Sequence, residues 1–215
     1  MPLSANEIVK HLKGHYKDRE CFALAPCPPD FDVNKKQGGA SLDLRLGTWF
    51  LTTKTSRHSV LDIYTDRELQ PSEYNLTNAH YVPLGRHFIL HPNSFVLAST
   101  LEWVKMPKKL CGYVTGKSSW GRRGLVIETA PGVHPGFAGC LTLELANVGE
   151  IPIKLVTGTK ICQLFLHDVI GDSSVDQSSF LGQRRPRLGK IEPDDFVRSL
   201  MDRWTKPDSP NQSSI

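Results

Sequence analysis

The chain has 215 residues, of which 39% are hydrophobic and 22% are charged. This composition is typical of one globular domain, alone or with a small appendage, and it excludes bulk disorder and fibrous proteins. The formal net charge of +4 suits an anionic ligand but is too small by itself to indicate nucleic-acid binding.

The five cysteines are widely spaced and include no C-x-x-C pair. That pattern is typical of reduced thiols in a cytoplasmic protein, and it favours neither a disulfide framework nor a zinc knuckle. The N-terminal residues lack the apolar core of a signal peptide, and no apolar run approaches the ~18 residues of a membrane span. We therefore expect a cytoplasmic protein without a membrane segment.

A short helix is predicted at the N-terminus. Ser4 and Glu7 have the spacing of a capping box, and Gly14 is expected to end the helix. Three apolar residues fall on one helical face between these points: Ile8, Val9 and Leu12.

Short strands are predicted from about residue 40 onward. Residues 41–46 alternate strictly, with three leucines on one side. Further candidate strands are Phe88–Leu90, Phe95–Trp103, Cys111–Thr115, Leu141–Leu145, Ile151–Leu155 and Ile161–Leu166. Glycine and proline separate them at short intervals, which indicates an all-β sandwich or barrel. Residues 62–80 are polar and poorly periodic, so they are predicted to be an excursion or insert.

The C-terminal part differs in composition from the rest. Residues 171–190 are rich in serine and arginine, and Pro193 is predicted to open a helix with apolar residues at helical spacing. We expect one domain over residues 1–190, followed at 191–215 by a helical extension with a frayed end.

The first candidate site is the loop Gly116–Gly124, which combines glycines, hydroxyls and three cations. Such residues can approach and bind phosphate, although the same composition also suits an exposed basic hairpin loop. The loop resembles the end of a P-loop, but the glycine that a P-loop requires five positions earlier is Cys111. Gly121 and Gly124 also oppose the helix that should follow, so we exclude a P-loop.

The second candidate is Glu144, which lies opposite the leucines of its predicted strand. It is either an ordinary solvated glutamate or a desolvated carboxylate that transfers protons.

The connection at residues 129–139 is a third candidate site, and the alternative is a tight structural turn. His134 alone is weak evidence for a catalytic role. The H-x-E and P-C-x-x-C signature of zinc deaminases is absent, so any deaminase would work without a protein-bound metal.

These segments, in this order, resemble the dCTP deaminases of the trimeric dUTPase-like superfamily. The matching blocks are Ser41–Gly47, Lys117–Leu125, His134–Gly139, Leu141–Asn147 and Pro152–Phe165. The resemblance covers most of residues 1–190. It implies an all-β, β-clip or dUTPase-like distorted barrel with short N-terminal and C-terminal helices, and a homotrimer whose active sites are shared between subunits.

The implied reaction is the conversion of dCTP to dUTP and ammonia without zinc, which supplies dUTP for thymidylate synthesis. By motif position, Glu144 would be the general acid and base. Ser118 and the carbonyl of Ala130 would hold the attacking water, and Arg122 would orient Glu144 and the pyrimidine.

The resemblance also implies how the nucleotide is bound. Lys117 and Ser119 would bind the phosphates within a loop that includes Trp120 and Gly121, and Mg²⁺ would be held mainly by the triphosphate. Thr142 and Leu143 would contact the base and deoxyribose through their backbone. Two glutamines would contact the phosphate end: Gln163, and Gln183 from the C-terminal strap, by which we mean residues 171–190. dTTP or dUTP is expected as a regulator or product, and no nucleic acid or membrane is expected as a partner.

The chain departs from the family pattern in several places. Lys117 stands where arginine is usual, which retains charge but loses the bidentate fork. Pro131 and Gly132 replace a common His-Arg pair. His134 replaces the aspartate that activates water for phosphate cleavage in dUTPases and bifunctional enzymes. Two alternatives therefore stay open: a dUTP or dCTP pyrophosphatase, including a bifunctional deaminase-dUTPase, and a non-catalytic nucleotide-binding regulatory trimer.

Overall fold

The computed structural model of the chain describes residues 1–13, 21–27, 39–54, 64, 76–128, 132–171, 181–189 and 191–205. The strands are β1 (Ala23–Ala25), β2 (Ser41–Thr53), β3 (Thr77–Tyr81), β4 (His87–Leu90), β5 (Phe95–Lys105), β6 (Leu110–Gly116), β7 (Leu125–Glu128), β8 (Gly132–Val133), β9 (Ala138–Asn147), β10 (Ile153–Val156) and β11 (Lys160–Asp168). The helices are α1 (Ala5–Lys13), α2 (Ser118–Gly121) and α3 (Asp195–Thr205). The predicted all-β class, with short helices near both ends, is confirmed.

The chain divides into two compact units. The first comprises Met1–Thr53 and Thr77–Arg187, and it contains every strand named above. The second comprises Lys54–Leu76 and Leu188–Ile215, and it contains α3. No helix in the described part of the chain has the length and apolarity needed to cross a membrane.

Within the described residues, nine strands form one antiparallel sheet whose main path runs β7-β9-β5-β2-β11-β6-β8. β1 adds to β5, β3 adds to β2, and β4 pairs with β10 in a separate two-stranded sheet. The register places Asp43 opposite Gln163 and Leu97 opposite Glu144. Non-local pairing of this kind brings residues more than a hundred positions apart into contact.

The core of the first unit is built from the apolar sides of these strands. Leu42, Leu44 and Leu46 are at most 1% exposed, as the alternation predicted. The leucines of β9 at 141, 143 and 145 are also buried. Removing apolar surface from water contributes about 25 cal/mol of free energy for each Å² buried, and this is the main favourable term that holds the sheets together.

α1 begins after Ser4, whose Oγ accepts a hydrogen bond from the Glu7 amide at 3.4 Å. The Glu7 carboxylate binds Lys10 at 2.6 Å, so only half of the capping box forms. Ile8 is fully buried, and Val9 and Leu12 pack against the core as predicted. The predicted stop at Gly14 lies outside the described residues.

Two boundaries differ from the sequence analysis. β3 lies at the end of the segment predicted to be an excursion, because pairing with β2 stabilises a polar strand that has no apolar alternation. α3 begins at Asp195, two residues after Pro193. Asp194 caps it by accepting hydrogen bonds from the amides of Phe196 and Val197 at 2.9 and 3.2 Å.

Candidate active site

The loop predicted to bind phosphate connects β6 to β7. The Lys117 amide donates to the Ile161 carbonyl on β11 at 3.1 Å, and α2 then forms a single turn. Gly124, near the other end of the loop, has φ of +86°. A Cβ at this position would lie 2.8 Å from the Gly149 Cα. Glycine is therefore required at 124 both by backbone conformation and by close packing.

The outer side of this loop is open to solvent. Four of its predicted site residues are exposed: Ser118, Ser119, Gly121 and Arg122. Trp120 is partly buried, packs against the core, and donates its indole N–H to the Lys160 carbonyl at 3.2 Å. The loop thus presents hydroxyls and a guanidinium outward, where a ligand can approach, while Trp120 attaches it to β11.

Glu144 lies on β9 with its side chain partly buried. Its strand neighbours Leu143 and Leu145 are fully buried on the opposite side of the strand. The alternation also places Thr142 on the same side as Glu144. The predicted acid-base residue therefore lies on a strand that is paired on both sides, with β5 and β7, and it is neither fully exposed nor enclosed.

Two residues of the strap, Gly182 and Gln183, make backbone hydrogen bonds to β9. The Gly182 amide donates to the Ala138 carbonyl at 2.6 Å, and the Cys140 amide donates to the Gln183 carbonyl at 2.8 Å. The Gln183 Nε2 then donates to the Cys140 carbonyl at 3.0 Å and to Thr142 Oγ1 at 3.1 Å. Gln183 thus lies against Thr142, two residues from Glu144.

The Gln183 Oε1 is buried and has no hydrogen-bond partner within the described residues. An acceptor left in this state costs about 1 to 3 kcal/mol, so it favours the arrival of a donor from a ligand or water. Further along the strap, the Arg185 guanidinium carbon lies 3.8 Å from the centroid of the Trp49 ring. This cation–π contact anchors the strap to β2.

Two residues predicted to bind phosphate converge on one carboxylate. Asp43 Oδ1 accepts hydrogen bonds from Lys117 Nζ at 2.7 Å and from Gln163 Nε2 at 3.3 Å. Asp43 Oδ2 lies 3.5 Å from Lys160 Nζ. We call these four residues the Asp43 cluster. No sequence motif indicated a role for Asp43 or Lys160. The one signal in the sequence was the polar position of Asp43 within an alternating apolar strand.

A second ionic contact that the sequence did not indicate joins β2 to β5. Glu102 is 1% exposed, and its carboxylate accepts hydrogen bonds from the Arg45 amide at 2.8 Å and Arg45 Nη1 at 3.3 Å. Burial raises the pKa of the Glu102 carboxyl, and the Arg45 hydrogen bonds offset part of that increase. This pair is a structural contact between two neighbouring strands of the sheet.

Several predicted site residues make no polar contact with one another in the described part of one chain. No hydrogen bond or ion pair within the described residues joins Glu144 to Ser118 or Arg122. Ala130 lies outside the described residues, as does Pro131. His134 is exposed, and its carbonyl accepts a hydrogen bond from the Phe137 amide at 3.2 Å in the turn before β9.

The cysteines do not form a reactive or metal-binding group in the described part of the chain. All five are free thiols. Burial raises the pKa of the Cys140 thiol and of the Cys162 thiol, which disfavours their thiolate forms. The described residues contain no cluster of three or more histidine, cysteine, aspartate or glutamate side chains that could hold a metal ion.

Comparison with known proteins gives consistent results. The family model described as dCTP deaminase-like matches residues 5–169. A protein of Methanobrevibacter smithii named "dCTP deaminase, dUMP-forming" is 35% identical over 162 residues, which cover 72% of this chain and 81% of that protein. A protein of Corynebacterium diphtheriae with the same name is 38% identical over 158 residues, covering 70% of this chain and 81% of the relative.

A solved structure shares the fold. The 2'-deoxycytidine 5'-triphosphate deaminase from Agrobacterium tumefaciens is 21% identical, with a TM-score of 0.55 over 77% of this chain. The chain spans 47% of the length of that protein. The predicted dUTPase-like fold is confirmed. From the match over residues 5–169 and the sequence identity to the two relatives, the chain belongs to the dCTP deaminase-like family.

Proposed function

We propose that this chain catalyses the hydrolytic deamination of dCTP to dUTP and ammonia. The observation that carries the proposal is the position of Glu144 in a member of this family. Its side chain lies on β9 on the same side as Thr142, and Thr142 Oγ1 accepts a hydrogen bond from the strap residue Gln183. Relatives in the family carry the name dCTP deaminase, which gives the substrate class.

The chemistry requires one group that both accepts and donates protons. Water adds to C4 of cytosine, the C4–N4 bond breaks, and ammonia leaves, so dCTP and water become dUTP and ammonia. Glu144 would accept one proton from the attacking water and pass it to N3. It would then accept the proton of the new C4 hydroxyl and pass it to the departing amine, which leaves as ammonia. A carboxylate on a strand that is paired on both sides suits this role, because its oxygens stay within reach of the water, N3 and the departing amine.

The remaining catalytic residues would come from the loop after β6 and from the segment of the chain that follows β7. The Ser118 hydroxyl and the Ala130 carbonyl would hold the water, and Arg122 would orient Glu144 and the pyrimidine. Ser118 and Arg122 are exposed and make no hydrogen bond to Glu144 within the described part of one chain. This separation favours a homotrimer in which each site combines residues of two copies.

Nucleotide binding would use both the loop and the neighbouring strands. Lys117, Ser119 and Gln163 would bind the triphosphate, which would carry Mg²⁺ as part of the substrate. The backbone of Thr142 and Leu143 would contact the base and the deoxyribose. The absence of the zinc-deaminase signature from the printed sequence supports a reaction that needs no protein-bound zinc.

The names of two relatives suggest dUMP as an alternative product. The two relatives compared above are named as dUMP-forming, which corresponds to loss of pyrophosphate after deamination. Against this, His134 occupies the position at which pyrophosphate-releasing relatives are expected to carry an aspartate. We propose dUTP as the product, available for thymidylate synthesis. Mass analysis after incubation with dCTP and Mg²⁺ separates dUTP from dUMP, and dUMP with equimolar pyrophosphate would overturn the product assignment.

The decisive test of deamination is the variant Glu144→Gln. We expect ammonia release to be lost while dCTP affinity stays within about tenfold, ~1.4 kcal/mol, because the amide keeps the shape but cannot exchange protons. Glu150→Gln is the matched control, since Glu150 is exposed and outside the site. Ammonia release by Glu144→Gln would refute the role of Glu144. Binding without turnover by the unmodified chain would favour the regulatory trimer instead.

A further inference from the structure

The Asp43 cluster joins three elements that are distant in sequence. Asp43 lies on β2, Gln163 and Lys160 lie on β11, and Lys117 follows β6. The register puts Asp43 opposite Gln163. The Gln163 Nε2 also lies 3.2 Å from Ser41 Oγ, which fixes the amide between two acceptors on β2. The cluster is therefore a defined structure and not a chance approach of mobile side chains.

The charges of the cluster are not balanced. Two ammonium groups, from Lys117 and Lys160, lie within 3.5 Å of oxygens of the single Asp43 carboxylate. The two like charges are therefore held close together with one positive charge in excess. An anion with several negative charges would reduce that repulsion, and a nucleotide triphosphate is such an anion.

Lys160 retains hydrogen-bonding capacity. Its Nζ lies 3.5 Å from Asp43 Oδ2, which is an ion pair but longer than a good N–H···O hydrogen bond. An ammonium group has three donors, and the Lys160 side chain is 45% exposed. Lys117 is more enclosed, at 24% exposed. Lys160 is thus the cation of the cluster that is better able to reach a ligand in solvent.

The backbone places Lys160 beside the candidate phosphate loop. The Lys160 carbonyl accepts the Trp120 indole N–H at 3.2 Å, and the Lys117 amide donates to the neighbouring Ile161 carbonyl. A lysine at 117 gives a single point charge where an arginine would give a bidentate fork. A second lysine held by the same carboxylate supplies another donor next to the first.

We infer that Lys160 is a further phosphate-binding residue, and that Asp43 is the positioning residue that holds Lys117 and Lys160 for the triphosphate. The inference rests on the proposed function for its substrate, dCTP. Asp43 itself would not contact the nucleotide. Asp43 would act on the reaction by orienting Lys117 and Lys160.

The first experiment compares Lys160→Met with Lys154→Met in the full-length chain. Lys154 is an exposed lysine on β10 outside the cluster, so its substitution controls for the loss of one charge. We expect Lys160→Met to raise KM for dCTP by about tenfold or more, as for loss of a hydrogen bond between charged groups, while kcat changes by less than about threefold. Equal KM values for the two variants would overturn the role of Lys160.

Binding of inorganic tripolyphosphate tests this inference independently of the proposed function. Titration calorimetry measures its binding to the unmodified chain and to both lysine variants, independently of turnover. If the unmodified chain does not deaminate dCTP, the proposed function fails, but weaker tripolyphosphate binding by Lys160→Met than by Lys154→Met would still support the phosphate site. If dCTP is deaminated and tripolyphosphate binding is equal in the two variants, the inference fails alone.

A double-mutant cycle tests the positioning role of Asp43. If Asp43→Asn acts through Lys160, its effect on KM should be clearly smaller in the Lys160→Met background than in the unmodified chain. A purely structural role would lower the thermal midpoint in both backgrounds and leave the KM effects additive. Additivity would therefore overturn the positioning role. Should Asp43→Asn not fold, the lysine comparison by KM and by tripolyphosphate binding still decides the assignment of Lys160.

Discussion

A methyl group added at Gly47 should disrupt the junction between β2 and β5. The register between these strands shifts between Leu46 and Phe50, so Gly47 lies in a bulge opposite Ser99. An added Cβ would lie 2.7 Å from the Ser99 carbonyl oxygen, 2.8 Å from Ser99 Oγ and 2.8 Å from the Thr100 carbonyl oxygen. Ordinary van der Waals contact begins at about 3.4 Å, and two of these three atoms are backbone atoms that cannot rotate away.

The strands would have to separate locally by about 0.6 to 0.7 Å to bring distances of 2.8 and 2.7 Å to the ordinary contact distance of 3.4 Å. Overpacking of this kind costs typically about 1 to 3 kcal/mol. We expect Gly47→Ala to lower the free energy of unfolding by about 3 kcal/mol, at the upper end of this range, because the methyl group would be too close to three atoms at once. For a chain of this size that loss corresponds to a fall in thermal midpoint of roughly 6 to 12 °C.

Urea unfolding followed by circular dichroism measures the change, with the midpoint shifted and the m-value unchanged. Gly132→Ala is the matched control, because a Cβ at Gly132 would meet no atom of the described residues within 4 Å. If the free energies of unfolding of the two variants agree within about 0.5 kcal/mol, the close approach of β2 and β5 at Gly47 is not as described.

The remaining predictions concern pH and the strap. Burial raises the pKa of Glu102 above its ordinary value of 4.5, so its contribution to stability is full below that value and is lost as pH rises through the folded pKa. The free energy of unfolding of the unmodified chain relative to Glu102→Gln should therefore fall with rising pH in urea titrations, and a constant difference would contradict this. Arg185→Ala should cost about 0.5 to 1 kcal/mol through the lost contact with Trp49 and should speed chymotryptic cleavage within residues 181–187. Arg187→Ala is the control, and equal cleavage rates in the two variants would show that Trp49 does not anchor the strap.

The elements that the sequence predicted are those governed by local pattern. Leu42, Leu44 and Leu46 predicted a one-sided strand, because alternate residues of a strand always face opposite sides. Ser4 predicted the start of α1 for an equally local reason, since its hydroxyl satisfies an amide three residues away. β3 could not be predicted in this way, because its stability comes from pairing with β2 and not from its own composition.

The candidate site shows the same division. Motif order by itself pointed to Glu144, Lys117 and Gln183, and to the family to which the chain belongs. The convergence of Lys117, Lys160 and Gln163 on Asp43 followed only from the sheet register, which places side chains up to 120 positions apart within hydrogen-bonding distance. Sequence pattern determines which side of a strand a residue faces. Tertiary pairing decides which charges meet there, because electrostatic partners are selected by distance in space and not along the chain.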